Sequence, residues 1–266
     1  MKQSLSFRPR HVVVTGASAG LGRAIALAYA RPGTVLGLIG RDRERIDATA
    51  VACRARGATV EMGVMDVREA TAMSAWLADF DTRHPIDLLI ANAGVASTIA
   101  DASDWEDLER TARVIDTNLY GTLHTVLPVI DRMRERRRGR IAMVSSIAAL
   151  RGMAISPAYC ASKAAIKAYG DSVRPLLARD GVGVTIILPG FVKTAMSDVF
   201  PGDKPFLWSA ERSAVYIRRR LDAGRSEIAF PGLLAFGMRL LPLLPAALAD
   251  AILDRLSYLP SKDRVN

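Results

Sequence analysis

Cysteine and histidine are scarce in this chain. Its 266 residues include two cysteines, Cys53 and Cys160, and three histidines, His11, His84 and His124. Two thiols far apart build no disulfide framework, which suits a reducing cytoplasm. Thiols and imidazoles do not cluster at ligand spacing, so no metal site is expected. Nor is there an uninterrupted apolar run of about 20 residues, the length a spanning helix needs. The opening MKQSLSFRPRHVVVTGAS has no long apolar core before a small-residue cleavage site, so it does not read as a secretion signal. Internal repeats, low-complexity tracts and linkers are absent too. Lysine and arginine total 36 against 27 acids, a net charge of +9. Part of the excess lies in RERRRGR at 134–140 and RRR at 218–220, where solvated helix ends are expected. Neither run is interleaved with aromatics as a nucleic-acid face would be, so no nucleic-acid partner is expected. Anionic cofactor phosphates or an acidic membrane surface would suit the balance.

What the chain does have is apolar residues, half of the total, in a regular alternation of segments. HVVVTG, TVLGLIG, ATVEMGVMDV, IDLLIANAG, GRIAMVSSI and GVGVTIILPG read as six strands. Helical patterns stand between them, at about 69–83, 105–137 and 157–180 among others. Near-continuous apolar strands imply a sheet covered on both faces. The expected fold is therefore α/β, a doubly wound parallel sheet of Rossmann type, with 1–266 as a single domain. The last seventy residues break the pattern: one short strand, then an apolar helical C-terminal extension interrupted by Pro231, Pro242 and Pro245 and followed by Pro260.

After the first strand, TGASAGLG spaces Gly16, Gly20 and Gly22 as GxxxGxG. With Ser18, Ala19 and Leu21 they form a turn that opens a helix, where backbone N–H groups and the positive dipole end can hold phosphates. The same letters contain GxSxG, which would make Ser18 the nucleophile of a hydrolase elbow. Chain order argues against it. No histidine follows His124, whereas the triad histidine should come last. Further on, PAYCASKAAI places Tyr159 one helical turn before Lys163. An ammonium held near a phenol favours the phenolate; a fall of three pKa units corresponds to about 4 kcal/mol.

These motifs, with MDV, NAG, Asn118 in DTNLYGT, VSSIA and PGFVKT, resemble those of the short-chain dehydrogenase/reductase family over roughly residues 10 to 200. The resemblance implies an NAD(P)-dependent oxidoreductase acting on a ketone or secondary alcohol. Tyr159 then stands for the proton donor. Lys163 stands for the lysine that lowers its pKa and binds the nicotinamide ribose. Ser146, thirteen residues before the tyrosine, holds the substrate oxygen in preference to Ser145. Asn118 retains a water in a proton relay. Asp66 and Val67 would meet the adenine, and Asn92, Ala93 and Gly94 would line the adenosine ribose. Pro189, Gly190, Val192 and Thr194 would hold the nicotinamide end. At the end of the second strand, where an acid would select NAD, stands Gly40, followed by Arg41, which favours NADP(H), with NAD(H) as the other choice. Asp42 adds an acid, and Ala19 occupies a place where many NADP-preferring relatives carry a base.

A non-catalytic nucleotide sensor or scaffold of the same fold is the alternative, and an epimerase is disfavoured by the glycine spacing. Relatives vary chiefly after the sixth strand, here from about 195, and many assemble as dimers or tetramers through their two long helices. Residues 228–248 carry a single charge, Arg239. They must bury their apolar surface over the substrate cleft, in a subunit interface or peripherally on a membrane. Packing in the core or an interface is the plainer reading; a lid over the cleft or an anchor on a surface would suit a hydrophobic or lipid-like substrate.

Overall fold

The structure, a computed structural model, describes residues 7–99, 104–200 and 204–255. Strand β1 (His11–Thr15) lies in the interior of the sheet. Its alternate side chains feed opposite sides: Val12 and Val14 enter one apolar layer and Val13 the other, all fully buried. Burial of each contributes about 1.5–3 kcal/mol. Helix α1 (Gly20–Tyr29), β2 (Val35–Gly40), α2 (Arg43–Arg54), β3 (Thr59–Val64), α3 (Ala70–Arg83) and β4 (Leu88–Ala91) follow. The chain steps outward from β1 to β2 and β3, then crosses back to place β4 on the other side of β1. That reversal opens a crevice above the carboxyl ends of β1 and β4, where ligands bind in such sheets.

Beyond it come α4 (Leu108–Ile115), α5 (Gly121–Glu135), β5 (Gly139–Val144), α6 (Pro157–Arg179) and β6 (Val182–Pro189). The short strand β7 (Val192–Lys193) and helix α7 (Ala195–Asp198) lead to β8 (Trp208–Ser209), which pairs with β7. Helix α8 (Ala210–Asp222) and β9 (Glu227–Phe230) complete a seven-stranded parallel sheet ordered β3-β2-β1-β4-β5-β6-β9. Helices α1, α2 and α8 cover one face, with Ile25, Ile46 and Ile217 in its core. Helices α3, α5 and α6 cover the other, with Phe80, Val126 and Ile166.

The single helix expected over 105–137 is interrupted. Residues Asp116–Tyr120 form a π-helical turn in which the Gly121 amide reaches back five residues to the Asp116 carbonyl. One extra residue widens the turn without disturbing the apolar pattern on either side, so the periodicity conceals it. The arginine run at 134–140 is paired rather than merely solvated. Arg136 makes two hydrogen bonds to buried Asp81, Arg134 meets Asp180, and Arg138 meets Asp87.

The apolar extension forms short pieces, as its prolines dictate. Pro231 precedes α9 (Gly232–Leu240), Pro242 sits in a 3-10 turn (Leu241–Leu243), and Pro245 precedes α10 (Ala246–Arg255). Pro260 lies outside the described residues. Helix α9 buries Ala235 and Met238 and leaves Leu233 and Phe236 mostly exposed. Among the described residues no helix is long and apolar enough to cross a membrane.

Candidate active site

The crevice is a cleft of about 520 Å³. Its floor begins at the glycine turn. Gly16 has φ +66°, and a Cβ there would stand 2.9 Å from the Ala93 Cα. A Cβ on Gly22 would fall 2.2 Å from the Gly16 carbonyl oxygen. Only bare backbone lets this turn close against β4. No side chain caps α1 at Ala19, so its first N–H groups face the cleft without a protein cap. An anion of pyrophosphate type fits this cradle. Thr15, which sequence reasoning overlooked, braces it: its hydroxyl accepts from the Asn92 and Ala93 amides, at 3.0 and 3.1 Å. The Asn92 carboxamide donates to the Thr15 carbonyl at 3.0 Å.

Ser18, Ala19, Gly20, Leu21, Arg41, Asp66, Val67, Ala93, Gly94, Pro189, Gly190, Val192 and Thr194 all line the same cleft, with Ser146, Tyr159 and Lys163. Asp66 is clamped by Arg68 through two side-chain hydrogen bonds of 3.1 and 2.9 Å, and this pairing holds its carboxyl below the usual range. Arg41 lies 3.8 Å from Asp66 with its guanidinium largely in solvent. Asp42, the acid that would favour NAD, accepts from the Arg45 amide as N-cap of α2 and pairs with the Arg45 side chain at 3.2 Å. Arg45 also lines the cleft. The sequence does not single it out, because RDRER reads equally well as a solvated helix start. The Thr194 hydroxyl accepts from the Ser197 amide and caps α7, while its methyl faces Gly20.

Asn118 is placed differently from the other candidates: it is fully buried, behind the cleft wall, in the π-helical turn. Its Oδ1 accepts from the Val95 amide at 2.8 Å, and its Nδ2 donates to the Val95 carbonyl and to Ser162 Oγ. The side chain thus clamps the loop after β4 to α6. The two serines of VSS diverge: Ser145 Oγ donates to the Lys163 carbonyl at 2.6 Å, whereas Ser146 Oγ accepts from the Ala148 amide at 3.1 Å, donates to the Pro189 carbonyl at 3.4 Å, and lines the cleft with Tyr159.

Tyr159 and Lys163 share one side of α6, with the ammonium 5.6 Å from the ring centroid. The expected lowering of the phenol pKa is not what these protein groups produce. Burial pushes Tyr159 up to about 12, against the opposing effect of the Ser146 hydroxyl. Burial likewise pulls Lys163 down to about 8. The lysine donates to the Val144 carbonyl at 3.1 Å, and desolvation of its ammonium is what lowers it.

The remaining wall is apolar: Ile147, Met153, Phe191, Phe200, Leu234 and Met238, with Phe200 edge-on to Tyr159 at 5.7 Å. Scattered over loops and α9, these carry no motif. Among the described residues no histidine lines the cleft beside Ser18; His124 instead holds the Val67 carbonyl at 3.1 Å.

A parallel sheet with a glycine-lined cradle at its switch point and a buried phenol beside it suits a nicotinamide-dependent oxidoreductase. The profile of the short chain dehydrogenase family matches residues 10–204, and the chain belongs to that family. An uncharacterized oxidoreductase of Myxococcus xanthus is 38% identical over 249 residues, 93% of this chain and 97% of that protein. The ketoacyl reductase HetN of a Nostoc species is 33% identical over 68% of this chain and 63% of its own length. Among solved structures, a short-chain dehydrogenase from Sphingobium yanoikuyae in complex with NADPH shares the fold, with TM-score 0.77 and 23% identity over 96% of this chain and 98% of that one.

Proposed function

We propose that this chain reduces an apolar ketone at the expense of NADPH, with Tyr159 as proton donor. The observation that carries the reading is the convergence of Ser146, Tyr159 and Lys163 on the cleft that the glycine turn opens. Bound nicotinamide supplies the hydride to the carbonyl carbon. The protein's part is to hold that carbon and manage one proton. Tyr159 Oη gives its proton to the carbonyl oxygen as the new C–H bond forms, and Ser146 Oγ donates a hydrogen bond to the same oxygen. Lys163, charged below about pH 8, steadies the resulting phenolate and returns a proton to it. A phenol at about 12 is fully protonated at neutral pH, which suits reduction rather than alcohol oxidation.

Arg41 and Arg45 at the rim, with no carboxylate at Gly40 and Asp42 engaged as a helix cap, favour a 2′-phosphate. The uncharged wall of Ile147, Met153, Phe191, Phe200, Leu234 and Met238 favours a hydrophobic substrate, lipid-like in the finer reading, and the ketoacyl reductase relative points the same way. The outer face of α9 would meet a membrane surface or a second subunit of a homodimer or homotetramer. The test is NADPH consumption over a series of ketones graded in chain length. Turnover that rises with chain length supports the reading; turnover of short polar ketones alone overturns it.

A further inference from the structure

Helix α6 carries Tyr159 in its first turn, yet that turn is poorly capped by its own residues. Ser156, at the N-cap position, makes no side-chain cap; its hydroxyl donates instead to the Ser97 carbonyl at 2.6 Å. Pro157 has no N–H to offer. The next amide, Ala158, is taken by Glu106 Oε2 at 2.8 Å, from 52 residues earlier in the chain. A carboxylate is the favoured group at a helix N-terminus. Its other oxygen, Oε1, is buried and has no hydrogen-bond partner among the described residues. A buried acceptor left unpaired costs stability. Stability alone therefore gives little reason for a glutamate here, and what it holds in place gives a better one.

Ala158 adjoins Tyr159 in the chain. The loop that brings Glu106 also lines the cleft at Asn92–Val95 and is pinned to the segment before α6 by the Ile99 amide, which donates to the Ile155 carbonyl at 2.8 Å. Thr98 Oγ1 ties it to the Val199 carbonyl at 3.1 Å, beside the Phe200 ring that packs on Tyr159. We propose that Glu106 is a positioning residue for the proton transfer: by capping α6 across the cleft loop it fixes the Tyr159 phenol against Ser146. The proposal rests on the reading of Tyr159 as proton donor.

The experiment compares wild type, Glu106→Ala, Glu106→Gln, Glu106→Asp and Tyr159→Phe, with kcat and KM normalised to NADPH-binding sites so that misfolded protein does not count. A misplaced reacting group costs about tenfold to a hundredfold in rate, and that loss is expected in kcat for Glu106→Ala, with KM for NADPH within about twofold. Glutamine keeps an acceptor at the same reach and should restore kcat to within about threefold of wild type. Aspartate, one methylene short, should behave like alanine. Wild-type kcat in Glu106→Ala overturns the proposal, as does a kcat loss that glutamine does not rescue. Full activity in Tyr159→Phe would instead overturn the underlying assignment of the proton donor.

Discussion

Tyr159 and Lys163 are both titrated by burial, in opposite senses. The phenol is held up at about 12 and the ammonium down at about 8. Reduction needs both protonated. The phenol stays protonated across the neutral range, so the lysine sets the limit. We expect kcat/KM for ketone reduction to be flat below neutrality and to fall as pH rises through about 8. A rate that climbs through that window would show that loss of a proton, not its supply, controls the step. At the cleft rim, Arg41→Ala and Arg45→Ala should each weaken NADPH binding by about 1.5–3 kcal/mol, the range for a hydrogen bond to a charged group, and leave NADH binding nearly unchanged. Titration with both nucleotides checks this. Equal losses for the two would place these guanidiniums away from the 2′ position. Both residues stand in RDRER, but only Arg41 could be picked out there, because its place after β2 is fixed by the strand. Arg45 reaches the cleft because α2 starts at Arg43, a detail the letters do not settle.

At the scale of elements, the strands were the most legible feature. HVVVT is buried on both faces, so its valines need no polar alternation, and the same holds for VLGLIG and VGVTIILP. The glycine turn was equally plain, since Gly16 and Gly22 occupy positions where no Cβ fits. Gly22→Ala would force the turn away from β4. It should destabilise the fold by about 1–3 kcal/mol, the usual cost of overpacking, and abolish nucleotide binding; thermal melts with and without NADPH check both. A variant that still binds NADPH normally would mean that the turn is free to move. The π-helical turn and the Glu106 cap were not legible. The first is a one-residue insertion inside an unbroken helical pattern, and the second joins residues far apart in sequence. Asn118 was found by its motif, but its full burial and its clamp on Val95 and Ser162 emerge only from the fold.

For the whole molecule, one sheet carries the cradle at its centre and the extension at its edge. Residues far apart in the chain, from Gly16 to Met238, therefore meet in a single cleft. Binding there should stabilise the entire unit. NADPH at a hundred times its dissociation constant adds about 2.7 kcal/mol, a rise in Tm of several degrees. The extension contributes Leu234 and Met238 to the apolar wall, so its removal should broaden or abolish chain-length preference without removing the cradle. The central claim is that this cleft performs hydride transfer coupled to proton donation by Tyr159. Turnover of the best ketone by Tyr159→Phe, measured beside its NADPH affinity, tests that claim most directly. The account predicts a fall in turnover of about 10²–10⁴-fold with NADPH binding intact; near-normal turnover by the phenylalanine variant would contradict it.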